Sequence, residues 1–187
     1  QEETALHIRN YLGTAIQELD RASNIINDYL TFAKPAPETM EEISVSDEIQ
    51  NVVNILTPLA NMNNVQLIYS KTDHVRCLIL GDPRKLQQSL INIVKNGIES
   101  MHGGGELEIN LTSDYSSVRI KIRDEGKGMS QHQMNRLGEP YFTTKENGTG
   151  LGMMVSFSLI KGMGGQVKVD SEVGKWTLFS IEFPVAQ

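Results

Sequence analysis

Two prolines near the N-terminus divide the chain into a long helix and a separately folded part. Residues 4–34 contain no proline, and a narrow, mostly apolar stripe recurs there at alternating steps of four and three. This spacing predicts a coiled-coil seam. The seam consists of Leu12, Ile16, Leu19, Ser23, Ile26, Leu30 and Ala33. The other faces are polar, so the helix needs a partner to bury its stripe. Pro35 and Pro37 then end the helix and begin a short, stiff linker over residues 35–40.

Residues 41–187 predict one domain of mixed helices and strands. Strands are expected at 43–45, 65–70, 75–80, 106–112, 118–124, 166–170 and 176–183. Helices are expected from a cap at Ser46 and Asp47 to Met62, from the cap Asp82 to Met101, and from Thr149 to Met163. Because these elements interleave without strict alternation, we predict an α+β fold, a two-layer α/β sandwich in which helices cover one face of a mixed sheet.

Composition excludes several classes of protein. Hydrophobic residues make up 39% of the 187 residues, which is enough to bury a core. The formal net charge of -6 gives no overall field that attracts nucleic acid or an anionic membrane. No stretch approaches the roughly 20 apolar residues of a membrane span. The single cysteine, Cys77, lies in an apolar run and excludes an internal disulfide, which fits a reducing cytoplasm.

Three amide side chains recur every four residues on the helix after Asp82. Gln88, Asn92 and Asn96 are predicted to form a polar ridge, while the apolar residues of this helix face the sheet. The carbonyl oxygen of asparagine can bind Mg²⁺ without adding negative charge beside phosphates. Taken alone, such a ridge is more typical of a solvated helix face.

Two glycine-rich segments follow the amide ridge. Asp124 ends a strand and precedes Gly126 and Gly128, so its carboxylate can accept a hydrogen bond from an exocyclic amine while the glycines let a flat ring approach. Alone, this segment also fits a plain turn. Residues 148–152 open a helix whose N-terminal amides favour an anion, with Lys145 as a nearby cation. Their spacing matches neither a Walker loop nor a Rossmann fingerprint.

The order of these features resembles a known family. An amide-bearing helix, then D-x-G-x-G, an aromatic segment and G-T-G-L-G, is similar to the catalytic domain of sensor histidine kinases, within the gyrase, heat-shock-ninety, histidine-kinase and MutL ATPase group. The resemblance covers about residues 41–187 and implies a Bergerat-type sandwich that binds ATP and Mg²⁺. Shorter matches, at residues 18–22, 33–35, 96–101 and 142–145, most resemble the sporulation sensor kinases of spore-forming bacilli.

The resemblance implies a role for each motif residue. Asn96 is the implied Mg²⁺ ligand, Asn92 and Lys145 are the implied catalytic residues, and Asp124 is the implied adenine ligand. Residues 129–149 correspond to an ATP lid. The implied ATP-binding residues are Gln88, Asn92, Asn96, Asp124, Gly126, Gly128, Tyr141, Phe142, Thr143, Thr144, Lys145, Gly148, Thr149, Gly150, Leu151, Gly152 and Thr177. Trp176 stands where many members of the family have glycine, and we expect it to have a packing role.

The N-terminal helix, residues 1–34, resembles the second helix of the family's dimerisation and phosphotransfer hairpin. The phosphoacceptor of the family is a histidine followed by an acid and later by a proline, and the sequence after His7 has neither. Too few residues separate His7 from Pro35 for a return helix, so we expect the acceptor upstream of Gln1. His7 stays a secondary candidate for the acceptor.

The other three histidines are expected to be ordinary solvated side chains. His74, His102 and His132 lie near predicted turns or helix ends, and their spacings match no zinc site.

These resemblances imply a cytoplasmic, ATP-dependent histidine kinase that phosphorylates a histidine and then a response-regulator aspartate, in sporulation control. An anti-sigma-factor-like serine kinase and a dimeric scaffold without turnover are the alternatives. The implied partners are a second copy of the chain, a receiver domain and a small helical inhibitor protein. Neither nucleic acid nor a membrane is expected to contact this fragment, although a longer parent could be anchored in a membrane.

Overall fold

The computed structural model of the chain describes residues 2–33, 40–72, 77–145 and 148–186. In the first helix it describes the side chains at 7–23, 25, 26, 29 and 30. The helices are α1 (Glu2–Ala33), α2 (Val45–Met62), α3 (Pro83–Ser100), α4 (Gln131–Arg136) and α5 (Gly152–Gly162). The strands are β1 (Glu41–Ser44), β2 (Val65–Lys71), β3 (Leu78–Gly81), β4 (Gly105–Ser113), β5 (Ser117–Asp124), β6 (Gln166–Glu172) and β7 (Trp176–Pro184).

The predicted mixed sheet is confirmed as a five-stranded sheet in the order β2-β4-β5-β7-β6. The β2–β4 pair is parallel and the other pairs are antiparallel. Burial alternates along the central strands, as expected for a sheet covered on one face. The strands β1 and β3 form a second, two-stranded antiparallel sheet that the sequence did not predict.

The helix α3 lies between α2 and α5 and packs on β4 and β5. Its start is as predicted, because the Asp82 carboxylate accepts hydrogen bonds from the backbone amides of Arg84 and Lys85. Its predicted apolar face is buried in the core: Leu86, Leu90, Ile93, Val94 and Gly97. Burying one such aliphatic side chain contributes about 1.5–3 kcal/mol. This packing fixes the opposite, polar face of α3 relative to the end of β5.

Several elements differ from the sequence-based prediction. The cap of α2 is Ser44, whose hydroxyl accepts from the Asp47 amide at 3.4 Å, rather than Ser46 and Asp47. Helix α5 begins at Gly152 instead of Thr149, so more of the glycine-rich segment is loop. The short helix α4 was not predicted.

Several predicted features fall on residues outside the described ranges. They are the linker at 35–40 except its last residue, and His74. Strand β3 begins at Leu78, and of the predicted strand at 75–80 the first two residues are outside the described ranges. Cys77 is buried, and that burial raises the pKa of its thiol.

The described residues of α1 confirm the predicted long helix, and the seam side chains described are all exposed. The helix contacts the rest of the molecule through α5.

Candidate functional site

A cavity of about 840 Å³ opens between α1, α3, the ends of β5 and β7, and the segment from 127 to 153. Asn96 of α3 and Asp124 of β5 both line it. The predicted amide helix and the first glycine-rich segment therefore meet at one site, on the same side of the sheet. Of the predicted ATP-binding residues the cavity lining contains Asn92, Asn96, Asp124, Gly128, Phe142, Thr143, Thr144, Lys145, Gly148, Thr149, Gly150, Gly152 and Thr177.

Asp124 lines this cavity and is only 4% exposed. Its Oδ1 accepts hydrogen bonds from the Gly126 amide at 2.9 Å and from the Ser100 hydroxyl at 3.1 Å. Burial raises the pKa of this carboxyl, while those two bonds and a third from the Thr177 backbone lower it. The result is a fixed carboxylate that can accept a hydrogen bond from a ligand amine.

Glycines are required around Asp124 because backbone and side chains approach closely there. A Cβ at Gly126 would lie 1.8 Å from the Ser100 hydroxyl oxygen. Gly128 has φ of +62°, and a Cβ there would lie 2.0 Å from the Glu172 carbonyl oxygen. Both positions therefore exclude any larger residue without a shift of the surrounding structure.

The polar face of α3 forms the other wall of the cavity. The Asn92 amide nitrogen donates to the Ser156 hydroxyl at 3.2 Å and to the Gly152 carbonyl at 3.4 Å, which ties α3 to the first turn of α5. The Lys145 ammonium donates to Asn96 Oδ1 at 2.7 Å and also contacts the Glu99 carboxylate. A cation is therefore already held by the amide oxygen that was predicted to bind Mg²⁺.

The segment carrying Lys145 is shaped by local contacts. Helix α4 begins with a capping box formed by Ser130 and Gln133. The Arg136 guanidinium lies over the Phe142 ring, 4.5 Å from its centre, and this contact joins α4 to the residues before Lys145. Further on, Gly150 has φ of +70°, and a Cβ there would lie 2.6 Å from Tyr141 Cα. The loop before α5 can thus lie directly on residue 141 only with glycine at 150.

Four predicted ATP-binding residues lie outside the lining of the cavity. Gln88 lies about two turns before Asn96 on α3. Each step of four residues exceeds a full turn by about 40°, so Gln88 does not point in the same direction as Asn96. Tyr141 is 68% exposed, whereas Leu151 is buried in a cluster with Met154, Val155 and Leu159. Gly126 lies behind Ser100 rather than on the cavity surface. Their proposed contacts with ATP stay predictions.

The histidines that the structure describes do not line the cavity. His7, His102 and His132 are all exposed. In the described part of the chain no three histidine, cysteine or acidic side chains are grouped to hold a metal ion. Trp176 is half-buried beside the Arg123 guanidinium, 5.9 Å from the ring centre, which agrees with a packing role.

Several residues of the site do not belong to the predicted motifs. Ser100 and Glu99 follow Asn96 by four and three positions, so their helical spacing was a usable signal. No pattern in the sequence indicated the four residues of α1 that also line the cavity: Gln17, Glu18, Asp20 and Arg21.

The polar face of α3 offers an oxygen ligand that suits a magnesium ion bound to phosphates. Mg²⁺ prefers oxygen ligands, keeps several waters and needs few protein groups beside a bound triphosphate. Asn96 Oδ1 is such an oxygen, and its contact with the Lys145 ammonium shows that a positive charge is accommodated there. The arrangement can hold a planar base at Asp124 and an anion at the start of α5.

Comparison with known proteins gives consistent matches. Residues 81–187 match the family described as histidine kinase-, DNA gyrase B-, and HSP90-like ATPase. The chain is 40% identical over 178 residues to sporulation kinase E of Bacillus subtilis, covering 95% of the chain and 24% of that protein. It is 39% identical over 176 residues to sporulation kinase A of the same organism, covering 94% of the chain and 29% of that protein.

A solved structure of similar fold is full-length ShkA in complex with AMPPNP. It superposes with a TM-score of 0.81 at 25% identity, over 95% of this chain and 39% of that one. The chain thus spans between about a quarter and two fifths of the length of these matched proteins. Among the described residues there is no helix long and apolar enough to cross a membrane.

Proposed function

Because the chain belongs to the histidine kinase-, DNA gyrase B- and HSP90-like ATPase family, we propose that its cavity binds Mg·ATP and donates the γ-phosphoryl group to a histidine. The observation that carries this proposal is the meeting of Asn96 and Asp124 in one cavity. The names of the two sporulation kinases, matched over nearly the whole chain, support the assignment as a kinase, and the family description supports the histidine kinase type.

In the proposed complex the adenine amine donates to the Asp124 carboxylate. The triphosphate extends toward the N-terminus of α5, whose free amides favour anions. Asn96 holds the magnesium ion, which neutralises phosphate charge and polarises the reacting phosphorus. Lys145 leaves its contact with Asn96 and binds the γ-phosphate, and Asn92 keeps α3 and α5 at a fixed separation.

The proposed transfer balances as a substitution at phosphorus. A neutral imidazole nitrogen attacks the γ-phosphorus, a phosphorus–nitrogen bond forms, and the bond to the bridging oxygen breaks as ADP leaves. The second ring nitrogen gives up its proton to solvent. We further propose that the phosphoryl group then moves to an aspartate of a receiver domain.

A phosphotransfer assay with a separately supplied histidine-bearing hairpin tests this reaction. We expect the hairpin to become labelled from γ-labelled ATP. The label should be lost in acid and retained in alkali, because phosphohistidine is acid-labile. An acid-stable product would favour the serine kinase alternative. Nucleotide binding without any transfer would favour the scaffold alternative.

We propose that the chain forms a dimer through the seam of α1. Five seam residues are between 49% and 70% exposed, which leaves the stripe without cover within the described chain: Leu12, Ile16, Leu19, Ile26 and Leu30. Half-buried Ile25 packs on the opposite side, against the cluster around Val155. Sedimentation should give a dimer for the unchanged chain and a monomer for Leu19→Glu. Thr14→Glu, at an exposed position on the side of α1 opposite the seam, should leave the dimer intact.

Three finer proposals rest on the similarity to sporulation kinases. They are a role in sporulation control, a cytoplasmic location and regulation by a small helical inhibitor that binds the hairpin. Adding a candidate helical protein to the transfer assay tests the last of these, since binding at the hairpin should reduce transfer without reducing ATP affinity.

A further inference from the structure

One face of α1 contacts the domain beside the cavity. Among the α1 side chains that the structure describes, Arg21 and Ile25 are half-buried and the others are exposed. These two residues are four positions apart and so lie on the same face of the helix. Their burial shows that this face, rather than the seam, is held against the domain.

Ile25 fixes the position of α1 relative to the phosphate end of the cavity. It packs against a buried cluster of four residues: Leu151, Met154, Val155 and Leu159. This cluster includes the last loop residue before α5 and the first turns of that helix. Arg21 is one turn nearer the N-terminus of α1 and lines the cavity itself.

Among the described residues, the guanidinium of Arg21 is weakly engaged. Its ion-pair partner there is Glu18, whose carboxylate oxygen lies 3.9 Å away, and the two side chains are 40% and 66% exposed. An exposed pair at this distance contributes little to stability. Arginine also presents a planar set of donors that matches a phosphate in two bonds. A phosphate entering the cavity can therefore replace Glu18 as its partner at small cost.

Acidic side chains also line this part of the cavity, and they restrict where an anion can bind. Glu18 and Asp20 belong to α1, and Glu99 belongs to α3, where it pairs with Lys95 as well as with Lys145. A highly charged phosphate therefore gains from Arg21 only if it comes close enough to form direct hydrogen bonds. In the proposed complex the phosphate farthest from the base is the one nearest α1.

We infer that Arg21 binds the terminal phosphate of the nucleotide and so makes α1 part of the binding site. This inference rests on the proposed function, because the base must lie at Asp124 for the triphosphate to point toward α1. ADP lacks the terminal phosphate and therefore gains nothing from Arg21. The residue thus discriminates the triphosphate from the diphosphate.

Calorimetric titration of the whole chain with Mg·AMPPNP and Mg·ADP tests the inference. Arg21→Ala should weaken AMPPNP binding by about 10-fold or more, because a charge-assisted hydrogen bond is lost. Its affinity for ADP should change by less than about 2-fold, since no such bond is lost. Arg21→Lys should recover part of the AMPPNP affinity, since the charge remains but the paired donors do not.

Arg9→Ala is the matched control, because Arg9 is an exposed arginine of α1 that does not line the cavity. It should bind both nucleotides like the unchanged chain, and thermal unfolding should be similar in the two alanine variants. Equal losses for AMPPNP and ADP in Arg21→Ala, or no loss for either, would overturn the inference. Failure of the unchanged chain to bind either nucleotide would contradict the proposed function itself.

Discussion

The Lys145 ammonium lies 2.7 Å from the side-chain oxygen of Asn96, the atom proposed to bind magnesium. The same ammonium contacts the Glu99 carboxylate, so the lysine is held by two residues of α3. Two cations cannot share one oxygen closely because they repel each other. Magnesium entry therefore requires Lys145 to move, and this movement frees the lysine for a phosphate.

Replacing Asn96 with Ala should remove magnesium-dependent ATP binding. The amide oxygen is the proposed protein ligand, and loss of a metal ligand should cost at least about 10-fold to 100-fold in affinity. Titrations with ATP in magnesium and in chelator measure the difference directly. Asn54→Ala, an exposed helical position on α2, is the control and should not change the titration. Unchanged magnesium dependence in Asn96→Ala would place the ion elsewhere.

Replacing Glu99 with Gln should strengthen Mg·ATP binding. The change removes the charge that holds Lys145 over Asn96, so less free energy is needed to release the lysine. The side chains of Lys145 and Glu99 are each about one-third exposed, so solvent already screens their attraction. The gain in affinity is therefore limited to about 2-fold to 5-fold. Weaker binding of Mg·ATP would show instead that Glu99 itself supports the metal or the nucleotide.

Replacing Asp124 with Asn should reduce the preference for adenine over guanine. A carboxylate accepts a hydrogen bond from the adenine amine, whereas an amide can also donate and so tolerates the guanine oxygen. We expect ADP affinity to fall by about 10-fold or more while GDP affinity is little changed. Asp170→Asn, at an exposed position of β6, should leave both affinities unchanged. Full discrimination in Asp124→Asn would move the base pocket away from Asp124.

The pH dependence of stability should also report the burial of Asp124. Burial raises the pKa of this carboxyl above the ordinary value of 3.8, so the folded chain holds the proton more tightly than the unfolded chain. Its contribution to stability is therefore most favourable below pH 3.8 and is lost as pH rises through the folded pKa. Urea unfolding of the unchanged chain and of Asp124→Asn isolates this contribution. The unfolding free energy of the unchanged chain minus that of Asp124→Asn should decrease with rising pH and then level off.

Replacing Gly128 with Ala should destabilise the fold. Its φ is +62° and the new Cβ would lie 2.0 Å from the Glu172 carbonyl oxygen, so both the backbone at 128 and its contact with the end of β6 must shift. The cost should be at least about 1–3 kcal/mol. Gly13→Ala on α1 is the matched control, since a Cβ added at residue 13 would have nothing within 4 Å. That substitution should stabilise the helix by about 0.5–1 kcal/mol, and urea unfolding compares the two.

The parts of the fold that the sequence predicted are those with a local physical cause. Helix α3 has an Asp-Pro start and an apolar face, and both are local features. The cap of α2 was misplaced because Ser44 and Ser46 are equally good cap residues, and only the backbone geometry selects Ser44. Helix α4 was missed because none of its side chains is buried, so it has no apolar period to detect.

The residues of the site also divide into those that the sequence indicated and those that depend on how the elements pack. The resemblance carried by the order of the motifs predicted that Asn96 and Asp124 share a site, and the core holds the two elements that carry them, α3 and β5. Gln88 lies outside the cavity lining because a four-residue spacing does not follow the 3.6-residue turn of the helix, and its contact with ATP stays a prediction. The part played by Arg21 was not predictable, since it depends on how α1 docks on α5 through Ile25.

The seam of α1 and its docked face lie on opposite sides of one continuous helix. The proposed pairing of two chains and the proposed contact with the nucleotide therefore use different side chains. A helix transmits rotation about its own axis along its length, so a twist applied at Leu12 would turn Arg21 and Ile25 together. In the proposed dimer, a change in the pairing of the two helices would thus reach both the cavity and the docked start of α5.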